Sequence, residues 1–569
     1  MSFDLEIQYK DGIPFNLRIH NKWVHSKFPE IESKRQFDEF SKNLKMQEIH
    51  SMIFVKIGLA YILDYFLDFP YQIYWYEPNP EITEIALKRL RKKFQDFDWR
   101  HLPKIHFLKN FDADFIREFG ENLIYSELFF LKTYLEKQDF IIIDLYYRKK
   151  FYFSVNYHTI KKFETIWISN FYKNFIFSEY FYPIDVLKNI LKSFPVLVIA
   201  GGPSLDLWLP IIQMYQNKVF IIAVDTAFNA LVQNQIQVDF LVTVDAQWIN
   251  YLHLQGLWDH ISYLIADPVV CNLTIRNSIQ HAKIFIYNNS LPFVSYLYLK
   301  IFPELSFLKS GGSVTTTAID FANFLNAKSI FLVGADFAFV KNQIHTKYSQ
   351  IEKQFLYKNH RIESLDFFNY KQITAIPRRY CLDLYKKQIP TNDKLLIFKN
   401  WFENNHQLLQ KNQFYLLYGN GADLKNTKKV LSKEEFIEQI ATYPALTKKI
   451  VLENSIKIQN TKKTKEEILI KVYQNLISLK EKIENLLEIL EVPSTKNYTE
   501  IDNLEKKILN FEELKLLQFT EIHKYFSSFV GDIEILNKQS KEIHNSIKTH
   551  IELHLQFIKK SLSILQLME

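Results

Sequence analysis

Residues 195–205 constrain this chain more than any other stretch. Val196, Leu197, Val198, Ile199 and Ala200 form an unbroken apolar run, and Gly201, Gly202, Pro203, Ser204 and Leu205 follow at once. A short apolar run rich in β-branched residues is the pattern of a strand buried on both faces. Paired glycines let the backbone turn sharply and pass close to a ligand. Residues 205–215 are apolar enough for a helix, with Ser204 as its cap and Pro210 in its early turns. Strand, glycine turn and helix N-terminus in that order present free N–H groups and the positive end of a helix dipole, which suits a phosphate. The same residues are also compatible with a plain structural turn.

Glycine is scarce, with 12 in 569 residues, so each glycine pair carries weight as evidence. The length implies about three domains. A hydrophobic content of 47% with 23% charged residues is ordinary for a globular protein. The net charge of +7 is mild for this length, and no basic stripe argues for nucleic acid. Cys271 and Cys381 show neither metal-ligand spacing nor a disulfide framework. The first residues are polar, and no uncharged run reaches the roughly 18 residues needed to span a bilayer. These features predict a cytoplasmic protein with no membrane span and no tightly bound cofactor.

Before residue 30 the alternation of Leu5 and Ile7 with polar neighbours, and the turn signal Lys10-Asp11-Gly12, predict a β-hairpin. From Met52 the pattern becomes α/β. Residues 53–57 read as a strand, Gly58 as a turn and residues 59–67 as a helix. Residues 73–76 read as a second strand ending at Glu77, with Pro78 opening a helix. This is the opening of a dinucleotide-type fold, but only Gly58 of its glycine fingerprint is present, so a scaffold reading stands beside a cofactor site. Residues 105–108 and 140–145 read as further strands. The aromatic and lysine-rich stretch 146–182 reads as a helical connector rather than a base-stacking surface.

A second α/β unit begins at Pro195. Strands are expected at 219–224, 240–244, 263–266, 284–287 and 330–333, with helices at 227–233 and 314–325. Alternation at this spacing means a parallel, doubly wound sheet, whose ligands bind beyond the carboxyl ends of the strands. Gly201-Gly202, Asp225-Thr226, Asp245 and Gly334-Ala335-Asp336 all fall at such ends. Residues 341–400 are polar and irregular and read as an insertion or lid. A helix at 401–411 and a last strand at 414–418 follow. From Ser432 helical periodicity takes over: Ile468, Val472, Leu476 and Leu479 recur at three- and four-residue steps, and Ile535, Ile543 and Ile547 less regularly. The domains are thus expected at 1–185, 186–430 and 431–569.

The turns Gly201-Gly202 and Gly311-Gly312 can each offer backbone donors to oxygen anions. Asp225, Asp245 and Asp336 can accept hydrogen bonds from ribose hydroxyls or amino groups. No Gly-Lys-Ser or Gly-Lys-Thr is present, which excludes a P-loop kinase. No His/Cys/Asp cluster suggests a metal. His345, in a polar loop shortly after Asp336, is either a general base or an ordinary surface histidine.

These motifs resemble a known family. Ile199-Ala200-Gly201-Gly202-Pro203-Ser204-Leu205, Val224-Asp225-Thr226, Val238-Asp239-Phe240 with Asp245, Ser310-Gly311-Gly312-Ser313-Val314 and Gly334-Ala335-Asp336-Phe337-Ala338-Phe339 with His345 are similar to the central domain of the motility accessory factor (Maf) proteins. His25-Ser26-Lys27-Phe28-Pro29, the Gly58…Glu77-Pro78 unit and the helical tail fit that family's layout. The resemblance implies two Rossmann-like α/β domains, the central one sialyltransferase-like, followed by a helical bundle. It implies a glycosyltransferase that moves a nonulosonic acid from a CMP-activated sugar to Ser or Thr of flagellin. Carried over, Gly201, Gly202 and Ser204 lie near phosphate or ribose, and Thr226 and Asp245 line the donor pocket. Ser310, Gly311, Gly312 and Ser313 contact cytidine. Asp336 stands beside the nucleotide, and His345 takes the acceptor proton. Thr226 and Asp245 stand where sialyltransferases tend to use asparagines, and Tyr348 is the candidate for a leaving-group tyrosine. Two rivals remain. One is a diphosphokinase resembling the archaeal pterin pyrophosphokinases. The other is a non-catalytic flagellin-binding chaperone.

Overall fold

The computed structural model describes residues 5–42, 49–67, 69, 71–94, 105–309, 311–405, 413–425, 427–443, 448, 451–452, 465–490 and 533–568. Ser310, and the side chains of Ile535, Ile543 and Ile547, lie outside the described part. The chain divides into two compact units, Met1–Lys162 with Phe519–His550, and Phe163–Gln518 with Ile551–Glu569.

The first unit opens with the expected hairpin. β1 (Leu5–Lys10) pairs antiparallel with β2 (Ile13–Ile19), and Asp11 and Gly12 both take left-handed φ in the turn. β3 (Lys22–Trp23) and α1 (Pro29–Lys42) follow. A four-stranded parallel sheet then takes the order β6-β5-β4-β7, from β4 (Ser51–Val55), β5 (Gln72–Tyr76), β6 (Ile105–Leu108) and β7 (Ser126–Phe130). The helices α2 (Pro80–Lys93) and α3 (Ala113–Phe119) connect it.

Several sequence expectations are corrected in this unit. Residues 59–67 contain only a short 3-10 turn, Tyr61–Tyr65, because Ala60 takes a left-handed φ of 56° that interrupts a longer helix. The helix after β5 begins at Pro80, not Pro78, because the Asn79 side chain accepts the N–H of Glu81 and sets its start. Residues 140–145 are no strand but part of α4 (Lys137–Phe175). Ile143 and Tyr146 are buried at a helical spacing of three, which the run of isoleucines conceals.

The Gly58 turn is filled from within. A Cβ on Gly58 would sit 2.6 Å from His25 Nε2, and that nitrogen accepts the N–H of Leu59 at 2.9 Å. Burial pulls the His25 pKa down to about 3, which keeps the ring neutral and able to accept. Arg89 donates to the carbonyls of Leu59 and Ala60 and pairs with Asp64 at 2.7 Å. Glu77 accepts the hydroxyl of Tyr134 at 2.6 Å. Protein groups thus hold the loop in which a dinucleotide's pyrophosphate would rest. They also give the His25–Pro29 segment its structural role.

The second unit is built on nine parallel strands in the order β18-β17-β14-β9-β10-β11-β12-β13-β8. These are β8 (Phe181–Pro183), β9 (Pro195–Ile199), β10 (Phe220–Val224), β11 (Phe240–Thr243), β12 (Tyr263–Ala266), β13 (Lys283–Ile286), β14 (Ser329–Val333), β17 (Gln413–Leu417) and β18 (Lys428–Val430). β9, β10 and β14 are buried along their whole length, as strands covered on both faces must be. The chain steps outward from β9 through β10 to β13, then crosses to β14 on the other side of β9. That reversal is a topological switch point. β8 precedes residue 186, the expected start of this domain, yet pairs with β13 at the far edge.

The connecting helices are α5 (Leu205–Tyr215), α6 (Asp225–Gln233), α7 (Trp248–Leu254), α8 (Asn272–Ser278), α9 (Pro292–Ile301) and α10 (Val314–Phe324). The irregular lid expected at 341–400 is instead ordered structure: α11 (Gln350–Lys358), α12 (Leu365–Thr374), an antiparallel hairpin of β15 (Arg378–Leu382) and β16 (Gln388–Asn392), and α13 (Asp393–Asn404). Asn392 caps α13 by accepting the N–H of Leu395, so this helix starts well before the expected residue 401. The helical region after residue 432 comprises α14 (Lys433–Ala441), α15 (Lys465–Leu490) and α16 (Ile533–Met568). His554 and Ser561 of α16 are hydrogen-bonded to Tyr172 of α4. Among the described residues no helix is long and apolar enough to cross a membrane.

Candidate functional site

The switch point gathers glycines because three backbones cross there without room for side chains. The ladder between β9 and β14 runs past both strand ends: Ala200 N–H donates to Val333 O at 2.9 Å and Gly202 N–H to Gly334 O at 2.8 Å. A Cβ on Gly202 would collide with Asp336, one on Gly334 with the Ala200 carbonyl, one on Gly419 with Ser204 and one on Gly421 with Asp336. Gly201 lies against Thr226, where a Cβ would sit 2.6 Å from Oγ1.

The strand-end carboxylates divide by environment. Asp225 is buried and accepts from Thr243 Oγ1 at 3.0 Å and Asn250 Nδ2 at 2.7 Å, while Thr274 donates to Asn250. Burial pushes its carboxyl up to about 7. Asp225 therefore locks β10, β11, α7 and α8 together. Asp336 is also buried, and its Oδ2 accepts the Ser204 N–H at 2.9 Å. It caps α5 from the neighbouring strand end, so the expected role of Ser204 as side-chain cap is corrected: Ser204 itself has helical φ/ψ and makes no cap hydrogen bond. Asp245 is half-buried and accepts from Gln247 N–H at 2.9 Å. With the Gly202 and Ser204 amides given to Gly334 and Asp336, the phosphate-cradle reading of this turn is corrected for those two donors.

Asp336 yields a pH-dependent prediction. Burial raises its carboxyl to about 6, against about 4 in an unfolded chain. The folded state holds that proton more tightly, a gain that is complete below pH 4 and lost as pH rises through 6. Asp336→Asn keeps an acceptor for Ser204 and removes the desolvated charge. Thermal unfolding should find it roughly 2–3 kcal/mol more stable than the parent at pH 8, with the gap closing toward pH 4.

The second glycine turn reaches the same edge through α13. Ser313 caps α10 by accepting the N–H of Thr315, and Gly311 N–H donates to Thr316 Oγ1 at 2.8 Å. Gly312, exposed with a φ of +81°, lies under Phe398, and Gly311 packs beneath Trp401. Lys394 lies over the Phe398 ring at 5.8 Å, and its charge acts on His345. Lys394, Phe398 and Trp401 share one helix face and join the Gly312 bend to the His345 loop.

That loop is pinned to the first turn. Thr346 N–H donates to Gly201 O at 2.9 Å, Thr346 Oγ1 donates to Asp206, and Asn229 donates to the Tyr348 carbonyl. The Gly201 backbone favours the charged form of the His345 ring. Burial, with His253 and Lys394 nearby, pulls its pKa down to about 4. His253 of α7 is buried, with no hydrogen-bond partner for Nδ1 among the described residues. Burial lowers its pKa to about 4 against the opposing pull of Asp245. Two neutral imidazoles and one part-exposed carboxylate therefore lie on the carboxyl side of β9 and β11. The Tyr348 side chain is exposed.

Residues 169–342 match the family model described as 6-hydroxymethylpterin diphosphokinase MptE-like. The match covers the sheet from before β8 to just past β14, and so includes the switch point. Among curated proteins, an uncharacterized protein of Treponema pallidum (strain Nichols) is 30% identical over 99 residues, which is 17% of this chain and 44% of that protein. The chain thus spans less than half the length of that relative. Among solved structures, a Maf glycosyltransferase from Magnetospirillum magneticum AMB-1 has the same fold, with a TM-score of 0.51 and 12% identity over 99% of this chain and 92% of that one. Residues 169–342 are thus similar to the MptE-like family, and the chain shares its fold with the Maf glycosyltransferase.

Of the residues singled out in the sequence, Gly201, Gly202, Ser204, Thr226, Asp336 and His345 come together at the β9–β14 crossing, and Asp225 and Asp245 lie at the adjoining strand ends. Gly311 and Gly312 pack against α13, through Trp401 and Phe398, and Ser313 caps α10 beside them. The sequence reading missed His253, Lys394, Gly419 and Gly421. Two glycines at the end of a strand in a glycine-poor chain were a signal for the last pair. His253, three residues after Asn250 on α7, was detectable only as a neighbour of Asp245. Among the described residues no group of His, Cys, Asp or Glu is arranged to hold a metal ion.

Proposed function

We propose that the central unit is a group-transfer enzyme in which a nucleotide-phosphate donor meets a hydroxyl acceptor at the β9–β14 switch point, with His345 as the base. One observation carries this reading. His345, an imidazole kept neutral, sits in a loop pinned to the Gly201 turn by the Thr346 N–H, where α/β sheets of this order take their ligands. The acceptor hydroxyl attacks the donor, its proton passes to His345, and the bond to the nucleotide phosphate breaks. Lys394 and the Gly312-Ser313 bend face the charge that develops on the leaving nucleotide. Thr226 and Asp245 line the donor side, and Asp336 positions the Ser204 turn.

Two forms of the reaction share this chemistry. In the first, the hydroxyl attacks the β-phosphorus of ATP and AMP leaves. The description of the family model that spans the switch point supports this form. In the second, the hydroxyl of a flagellin Ser or Thr attacks the anomeric carbon of a CMP-linked nonulosonic acid and CMP leaves. The extent of the fold likeness to a Maf glycosyltransferase, which takes in both flanking regions, favours this form.

Thermal unfolding of the full chain with ATP, CMP and CMP-sugars separates them. A nucleotide at about a hundred times its Kd should stabilise the protein by roughly 2.7 kcal/mol. A shift with ATP, with AMP released when a hydroxymethylpterin is added, supports the first form. A shift with CMP, with a mass increase on flagellin given the CMP-sugar, supports the second. No shift with any nucleotide rejects the transferase and leaves the chaperone reading.

A further inference from the structure

The insertion that links His345 to α13 differs in composition from the rest of the chain. Residues 341–392 hold ten Lys and Arg against four Asp and Glu, so this segment carries +6 of the chain's net +7. Two of the four acids, Glu352 and Asp383, are buried. Ten of the 27 exposed large apolar side chains among the described residues also fall here, between Tyr348 and Tyr385. Part of that surface is continuous. Arg378, Tyr380 and Leu382 alternate onto one face of β15, and Arg378 lies 5.5 Å from the ring centre of Tyr370 on α12.

The backbone of β15 is open on its outer side. Phe339 N–H donates to Pro390 O at 2.9 Å, so the Pro390 carbonyl points away from β15. Tyr380, which faces Pro390, therefore belongs to a non-hydrogen-bonded pair, and its own N–H and C=O point outward. Arg378 and Leu382 share that orientation. Asp423 N–H closes the Leu382 end at 2.9 Å. Among the described residues no backbone hydrogen bond closes the edge at Arg378 or Tyr380. Exposed edges are usually blunted, and this one is flanked by uncovered tyrosines.

We propose that this edge docks an extended, acidic polypeptide segment, which adds to β15 as a further strand. The basic surface selects acidic side chains. The outward N–H and C=O groups select a polypeptide over a nucleic acid, which has no matching ladder, and over a second copy of this insertion, whose charge would repel it. β16, the partner of β15, is tied to the segment before the His345 loop, with Thr391 Oγ1 donating to Phe337 O and Phe339 N–H to Pro390 O. Delivery of its hydroxyl to His345 rests on the transferase reading, whereas the docking does not.

The test is fluorescence anisotropy with the full chain and a labelled peptide of Glu-Val-Glu-Thr repeats. Saturable binding is expected. It should weaken by about tenfold or more when alternate peptide amides are N-methylated, when Glu is replaced by Lys, and in Arg378→Glu. Tyr380→Pro removes an outward N–H and an exposed ring but no bond of the β15–β16 ladder, and should weaken binding, more than Tyr380→Ala does, while leaving the unfolding temperature close to that of Tyr380→Ala. If Tyr380→Pro does not fold, the N-methylated peptide still decides against the intact protein. Equal binding of the N-methylated and parent peptides, or tighter binding of oligothymidylate, would overturn the proposal. Nucleotide shifts are read separately, so loss of either result leaves the other standing.

Discussion

A Gly334→Ala chain should unfold far more easily than its parent, with roughly 3–5 kcal/mol of stability lost from the central unit. Gly334 has a φ of +75°, and a Cβ there would collide with the Ala200 carbonyl oxygen and lie 2.8 Å from its carbon. Neither backbone can retreat. Ala200 is tied to Val333, and Gly202 to Gly334, by the hydrogen bonds that extend the β9–β14 ladder. Gly312→Ala is the control. Its φ of +81° is equally left-handed, but the nearest atom to an added Cβ is on Phe398 at 3.5 Å. That variant should lose only the left-handed cost, about 1–2 kcal/mol. Urea unfolding of both variants is the measurement. Equal losses would show that conformation alone, not the close approach of two strands, selects glycine at residue 334.

His345→Ala should lower kcat by roughly 10²–10⁴ with whichever donor proves active, and leave nucleotide affinity unchanged. The pH profile is the sharper readout. The base is the unprotonated ring, and the pKa is pulled down to about 4. The parent's rate should therefore hold through pH 6 and fall only as pH drops toward 4, whereas an unperturbed histidine would lose activity through about 6.5. The same depression carries a stability term of definite sign. The unfolded chain takes the proton near 6.5 and the folded chain resists it, so stability present above 6.5 is lost as pH falls toward 4. A rate that falls through 6.5, or a kcat unchanged in the variant, would remove His345 from the reaction.

Much of the central sheet was legible in the sequence because parallel strands covered on both faces appear as short apolar runs. Residues 196–200 and 330–333 are of this kind, and the polar residues after them mark the carboxyl edge. Which strand ends adjoin was not legible. That Asp336 turns into the Ser204 amide depends on β14 lying beside β9, which local pattern does not encode. Lys394 was hidden because 341–400 looks polar and irregular, although Asn392 caps a helix there. Residues 140–145 misled in the other direction. Phe140-Ile141-Ile142-Ile143 has strand propensity, and a 39-residue helix overrides it.

β8 leaves the ribosome before any other described strand of its sheet, yet its partner among the described residues, β13, ends about 100 residues later. At roughly 5–20 residues per second, Phe181–Pro183 wait on the order of 5–20 s for that neighbour to be synthesised. The border of the sheet that is made first is thus the one that nascent folding completes late.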